Sequence, residues 1–173
     1  MKILVTGAAG FIGFHLINCL LKSGYKVTGI DDMKTGVSSF LMQERISKLK
    51  HENFTFLKLD INDLKQVKSS FDLVINLAAK TGVRYQENQI NDYLHSNING
   101  FISICDFCRD RKIKKVIYAS SSCVYDDSES QPFRENHTKK LPKSLYGLTK
   151  LFNETHAEIV HKQNNISFIG LRF

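Results

Sequence analysis

The strongest restriction on the fold is an alternation. Short runs rich in β-branched and aromatic residues are separated by longer amphipathic stretches along the whole 173-residue chain. Residues 2–6, 26–30, 53–59, 73–77, 115–120 and 166–171 read as strands. Residues 11–23, 38–50, 63–69, 89–111 and 145–163 read as helices, with Gly24 closing the first, Asn62 capping the third and Asn91 near the start of the fourth. Residues 124–143 hold turn formers and both prolines and read as a loop. Alternation this strict describes a parallel sheet covered on both faces. Right-handed crossovers then give an α/β, doubly wound sheet of strand order 3-2-1-4-5-6. Ligands of such sheets bind outside the carboxyl ends of the strands, where strands 1 and 4 diverge.

Composition removes the other classes. The length suits one domain, and 42% apolar residues with 10 glycines exclude a disordered, collagenous or low-complexity chain. No apolar run reaches the roughly 18–20 residues of a membrane span. The first apolar run meets Gly7 directly, without the long apolar region and cleavage site of a secretory signal, so a cytoplasmic protein with no membrane partner is expected. The net charge is +7, but the basic residues are scattered. The densest groups, Arg109–Lys115 and Lys139–Lys143, lack interleaved stacking aromatics. They read as solvated surface or as help with an anionic ligand, not as a nucleic-acid site. Cys19, Cys105, Cys108 and Cys123 lie in apolar text and read as reduced packing residues. Cys105 and Cys108 have no second pair and no histidine at ligand spacing, so no metal site is expected.

Between the first strand and first helix lies Thr6-Gly7-Ala8-Ala9-Gly10-Phe11-Ile12-Gly13. Gly7 suits a tight turn, Gly10 lets backbone approach a pyrophosphate, and Gly13 lets the helix pack closely on the sheet. The amides near Phe11 and Ile12 open the helix, where its dipole favours a phosphate. Asp31 ends the second strand, eighteen residues past Gly13. A carboxylate there accepts hydrogen bonds from ribose hydroxyls and repels a 2′-phosphate, which points to NAD rather than NADP. Asp32 could share that task, or could cap a turn, and Lys34 leaves NADP as a minor alternative.

Tyr146-Gly147-Leu148-Thr149-Lys150 places a phenol and an ammonium on one helix face. A phenol titrates near 10, and a close ammonium together with a positive nicotinamide favours the phenolate. Ser120-Ser121-Ser122 ends the fifth strand at the ligand edge of the sheet, where a hydroxyl could hydrogen-bond a substrate. The plain alternatives are an exposed Tyr beside a surface Lys, and a polar turn.

Together the glycine turn, Asp31, Asp60-Ile61, Leu77-Ala78-Ala79, Asn97, the serine run and Tyr146/Lys150 resemble the extended short-chain dehydrogenase/reductases. Among these the chain is most similar to the NAD-dependent nucleotide-sugar epimerases and dehydratases. The resemblance runs through the whole chain in order and implies a Rossmann domain over 1–173 that carries the catalytic Tyr and Lys. It implies adenine contacts from Asp60 and Ile61, a cofactor lining from Leu77, Ala78 and Ala79, and support of the site by Asn97. It makes Tyr146 the base, Lys150 its partner, Ser121 the catalytic hydroxyl and Ser122 a substrate contact. Where the dehydratases carry Asp-Glu, this chain has Ser122-Cys123, which favours an epimerase over a dehydratase or reductase. Asn76–Tyr85 is similar to the corresponding segment of UDP-glucuronate 4-epimerases, where Arg84 would suit an anionic UDP-sugar or be ordinary surface.

Two departures accompany the resemblance. Asp126 stands where the family usually has Gly after Val-Tyr. Family members also continue past Phe173 into a nucleotide-sugar domain, so a substrate domain absent from this chain is expected. The readings in play are an NAD-dependent UDP-sugar 4-epimerase passing through a 4-keto sugar, and an NAD-binding module without turnover. A homodimer through the helices at 89–111 and 145–163 is a further expectation from the resemblance.

Overall fold

The computed structural model describes residues 1–34, 38–82, 89–125, 132–136 and 142–173. Six parallel strands form one sheet: β1 (Lys2–Thr6), β2 (Lys26–Asp31), β3 (Phe54–Lys58), β4 (Leu73–Asn76), β5 (Lys115–Ser120) and β6 (Ser167–Arg172). Their order is β3-β2-β1-β4-β5-β6, as the alternation requires. In register, Thr6 pairs with Ile30 on one side and with Asn76 on the other. The carboxyl ends of β1, β2 and β4 therefore lie side by side, and the crossovers leave β1 in opposite directions.

Strand side chains alternate between faces, so one β1 sequence feeds two cores. Leu4 joins Ile30, Val74 and Val116 beneath α4 (Gly100–Asp110) and α5 (Leu145–Asn164), where Phe101, Ile104 and Val160 are buried. Ile3 and Val5 join Val27 and Ile75 beneath α1 (Phe11–Lys22), against Ile17 and Leu21. Thr6 ends β1 as a tie to β4. Its hydroxyl donates to Asn76 Oδ1 at 2.5 Å and accepts from the Leu77 and Ala78 N–H groups, each at 3.1 Å.

Three local readings change. The helix expected over 63–69 is a 3₁₀ turn, Ile61–Gln66, and Asp60 rather than Asn62 caps it by accepting from the Asn62 N–H at 2.9 Å. Both side chains can cap, and the pattern cannot choose between neighbours. The helix expected over 89–111 is α3 (Ile90–Tyr93), a π-helical stretch Leu94–Asn99, and then α4. A single widened turn leaves the apolar periodicity almost unchanged. Cys19 is exposed, unlike the buried Cys105 and Cys108, whose thiols burial pushes up to about 12. Of the expected 124–143 loop, residues 126–131 and 137–141 fall outside the described residues. Among the described residues no helix is long and apolar enough to cross a membrane.

Candidate active site

The cleft begins at the turn after β1. Gly7 has φ +68°, and a Cβ on it would lie 2.8 Å from the Ala78 amide nitrogen. A Cβ on Gly13 would strike the Gly7 carbonyl oxygen. Backbone therefore packs on backbone at both positions. At Gly10 a Cβ would meet one atom, Gly7 O at 3.1 Å, and would otherwise project into open space. Gly10 also occupies the cap position of α1 and offers no side chain to the helix's first amides.

Two side chains grip the turn between these glycines. The Ala9 N–H donates to Asp31 Oδ2 at 3.0 Å, and the Ala9 carbonyl accepts from Arg45 of α2 (Ser39–Lys48) at 3.0 Å. Asp31 Oδ1 also accepts from the Met33 N–H at 2.9 Å, and Asp32 Oδ1 from the Lys34 N–H at 2.9 Å. Burial outweighs the two backbone bonds and raises the Asp31 carboxyl above its ordinary value. At the neighbouring strand end, burial pushes Asp60 upward, but the Asn62 N–H and then His95, 2.9 Å away, overcome it and leave the carboxyl lowered.

The cleft encloses about 380 Å³. Gly7, Gly10, Phe11, Ile12 and Gly13 line it, with Asp31, Asp32, Asp60 and Ile61 along the β2 and β3 side. Leu77, Ala78 and Ala79 form its floor, and Ser121, Tyr146 and Lys150 its far end. Asn97 is buried behind this wall. It accepts from the Lys80 N–H at 2.8 Å and donates to the Lys80 carbonyl and to Thr149 Oγ1, both at 3.0 Å. Ser122 lines instead a wider groove of about 910 Å³ between β6 and α5. Arg84 lies outside the described residues.

The three serines separate where β5 ends: Ser120 is its last residue, Ser121 is extended beyond it, and Ser122 opens a 3₁₀ turn. Ser120 faces α5 and donates to Glu154 Oε1 at 2.6 Å. Ser121 shares a hydrogen bond with Tyr146 and accepts from the Cys123 N–H at 3.2 Å. The Ser122 N–H donates to the Phe173 carbonyl at 2.6 Å. Helix α5 starts at Ser144, whose hydroxyl caps the Gly147 N–H at 3.0 Å. This entry presents Tyr146 and, one turn on, Lys150 to the end of β5.

Lys150 is 2% exposed, and its ammonium donates to the Ala119 carbonyl at 2.9 Å. Burial pulls it down to about 8. Its nitrogen lies 5.6 Å from the centre of the Tyr146 ring. Burial raises Tyr146 above its ordinary value, and the Ser121 hydrogen bond only partly offsets it. Three residues escaped the sequence reading: Arg45 behind the turn, His95 on Asp60, and Glu154. Only Glu154 left a trace, four residues beyond Lys150 on the same helix face.

The family model described as the NAD dependent epimerase/dehydratase family matches residues 3–173. Protein CapI of Staphylococcus aureus is 40% identical over 100% of this chain and 53% of its own length. UDP-glucuronate 4-epimerase 2 of Arabidopsis thaliana is 37% identical over 100% of this chain and 41% of its own length. The crystal structure of UDP-glucuronic acid 4-epimerase from Bacillus cereus, in complex with UDP-glucuronic acid and NAD, superposes with a TM-score of 0.89 at 37% identity, covering 99% of this chain and 56% of that one. The chain thus spans about half the length of the relatives it matches.

Proposed function

Because the chain belongs to the NAD-dependent epimerase/dehydratase family, we propose that it is the cofactor-binding and catalytic domain of an NAD-dependent UDP-sugar 4-epimerase, with UDP-glucuronate as the preferred substrate. One observation carries the reading: Tyr146, Ser121 and Lys150 meet at one end of a cleft whose other end is the glycine turn. The cleft suits a dinucleotide on its own terms. Gly10 is open on the side where a Cβ would project, and the first amides of α1 lack a side-chain cap.

In this reading the turn amides and those of Phe11 and Ile12 take the pyrophosphate between Gly7, Gly10 and Gly13. Asp31, with Asp32, takes the adenosine ribose, and Asp60 and Ile61 border the adenine. Leu77, Ala78 and Ala79 line the cofactor, Lys150 holds the nicotinamide ribose, and Asn97 braces the wall through Lys80 and Thr149. The chemistry NAD supplies is reversible acceptance of hydride from the sugar's C4. Tyr146 removes the proton of the C4 hydroxyl as that carbon is oxidised, while Ser121 hydrogen-bonds the same oxygen. The 4-keto sugar turns over in the site, and Tyr146 returns the proton once C4 is reduced on its other face. Arg84 is assigned to an anionic sugar, and Ser122, which lines the groove that shares Phe173 with the cleft, to a part of the substrate outside the cleft. Ser122-Cys123 cannot supply a dehydratase's acid–base pair, which supports epimerisation.

Leu94, Leu148 and Ile159 are exposed on the helical run Ile90–Asp110 and on α5, and they support a homodimer through those helices. Four free thiols support a reducing, cytoplasmic setting. The alternative outcome of the test is an NAD-binding module without turnover. The deciding experiment incubates the chain with NAD and UDP-glucuronate and follows its C4 epimer. Epimer formation that falls about 10²–10⁴-fold in Tyr146→Phe, with NAD affinity kept, supports the epimerase. NAD binding without epimer leaves the module.

A further inference from the structure

Helix α5 meets the end of β5 at three successive turns. Tyr146 bonds Ser121, Lys150 donates to the Ala119 carbonyl at 2.9 Å, and Glu154 accepts from Ser120 at 2.6 Å. The contacts are spaced four apart along one face, so together they set how far α5 slides and turns on the strand. The third contact is the most enclosed. Ser120 is 2% exposed and Glu154 6%. Arg172 of β6, which pairs with Ser120 in register, forks onto both oxygens of Glu154 at 2.9 Å and stacks 4.6 Å from the centre of the Tyr125 ring.

We infer that Glu154 is a positioning residue for the reaction, one that fixes α5 on β5 so that Tyr146 stands at Ser121. The inference rests on the assignment of chemistry to Tyr146, Ser121 and Lys150. Lys150 cannot be the fixed point if its ammonium also serves the cofactor, because a group that moves to a ligand does not anchor the helix carrying it. Glu154 stands one turn farther from the reacting end, with both oxygens engaged inside the protein. A buried ion pair is no more stabilising than a well-packed apolar pair of similar shape. Its use here is directional: a bidentate fork permits one orientation, where apolar packing permits several. Close packing also makes register matter. A Cβ on Gly147 would lie 2.7 Å from the Cys123 carbonyl, so α5 cannot shift without collision or loss of contact.

Ser120→Ala tests the inference cleanly, because it deletes one oxygen and leaves the Glu154–Arg172 fork to hold the fold. The readouts are kcat and KM well below the melting temperature, NAD affinity, and the ¹³Cζ resonance of Tyr146, assigned by its loss in Tyr146→Phe. With the NAD-loaded chain, Ser120→Ala and Glu154→Gln should lower kcat about ten- to a hundredfold, since small misplacements of reacting groups cost that much. KM for UDP-glucuronate should stay within about twofold, as expected for a loss confined to the transition state. The Tyr146 resonance should move in both variants, and Ser120→Thr should restore kcat and the resonance. A Ser120→Ala protein that melts earlier but keeps kcat and the Tyr146 resonance would overturn the inference. The resonance does not require turnover. If it moves in a chain that makes no epimer, the positioning stands and the functional reading fails.

Discussion

At the Thr6–Gly13 turn the glycines present backbone to the cleft, and space is what fixes them. Gly7 and Gly13 sit where a side chain would meet peptide atoms, and only Gly10 opens outward. At the β5–α5 end the facing groups are side chains, and hydrogen bonds fix them: Ser121 to Tyr146, Lys150 to Ala119, Ser120 to Glu154. The two ends consequently fail in different ways. A wrong residue at Gly7 or Gly13 disrupts folding and binding together, because the same atoms do both. A wrong residue on α5 can leave the fold standing and change only how Tyr146 and Lys150 stand in the cleft.

The largest effect should separate the glycines from one another. Gly7→Ala demands a positive φ and a contact with backbone at 2.8 Å. It should cost about 1–3 kcal/mol from φ alone, with the contact added, and abolish NAD binding. Gly10→Ala should leave the denaturation midpoint nearly unchanged yet weaken NAD, read by titration. Equal stability losses in the two variants would break the distinction between packing and cradle.

Next comes Lys150→Met, followed by denaturation across pH. The Lys150 ammonium titrates near 8 in the fold against 10.5 ordinarily. Between those values the unfolded chain holds more protons, so the stability of the wild type rises with pH through that window and is lost as pH falls toward 8. The methionine variant has no such slope. The difference between the two proteins should change in the wild type's favour by up to about 3 kcal/mol from pH 8 to 10.5. The buried phenols Tyr118 and Tyr146, both raised, act oppositely above pH 10 but cancel in the difference. A flat difference would mean that Lys150 is hydrated and not held as described.

The smallest effect belongs to Asp31→Ala. It strips partners from the Ala9 and Met33 N–H groups and should cost about 1–2 kcal/mol of stability. NAD affinity should fall about tenfold, the equivalent of one charge-assisted hydrogen bond. Unchanged affinity would remove Asp31 from the ribose and leave it as a brace for the turn.

The same contrast explains what could be read in advance. Strand order and the glycine turn were legible because backbone requirements appear as residue types: β-branched runs for strands, and glycine where nothing else fits. Tyr146 and Lys150 were legible through their spacing on a helix. Arg45, His95 and Glu154 were not, because a polar residue on an amphipathic helix looks the same whether it meets water or a carbonyl across the fold. Arg45 reaches Ala9 from thirty-six positions away, and no local pattern encodes that contact. The π-helical turn at Leu94–Asn99 was hidden for another reason. It changes the backbone by a fraction of a turn while Phe101, Ile104 and Cys108 keep helical spacing in the core.

Ser120 and Ser121 are chemically identical neighbours with opposite commitments, one bonded to Glu154 inside the protein and the other to Tyr146 in the cleft. Nothing in either side chain makes that choice; the pleat of β5 makes it. A single residue inserted in β5 would shift that choice by one, setting Ala119 opposite Glu154 and Ser120 opposite Tyr146, whereas a deletion would bring Ser121 and Ser122 to the two places. The serine run therefore tolerates the loss of one residue in this strand better than the gain of one. A gained residue would cost Glu154 its hydroxyl partner, while a lost one would keep a hydroxyl at both places.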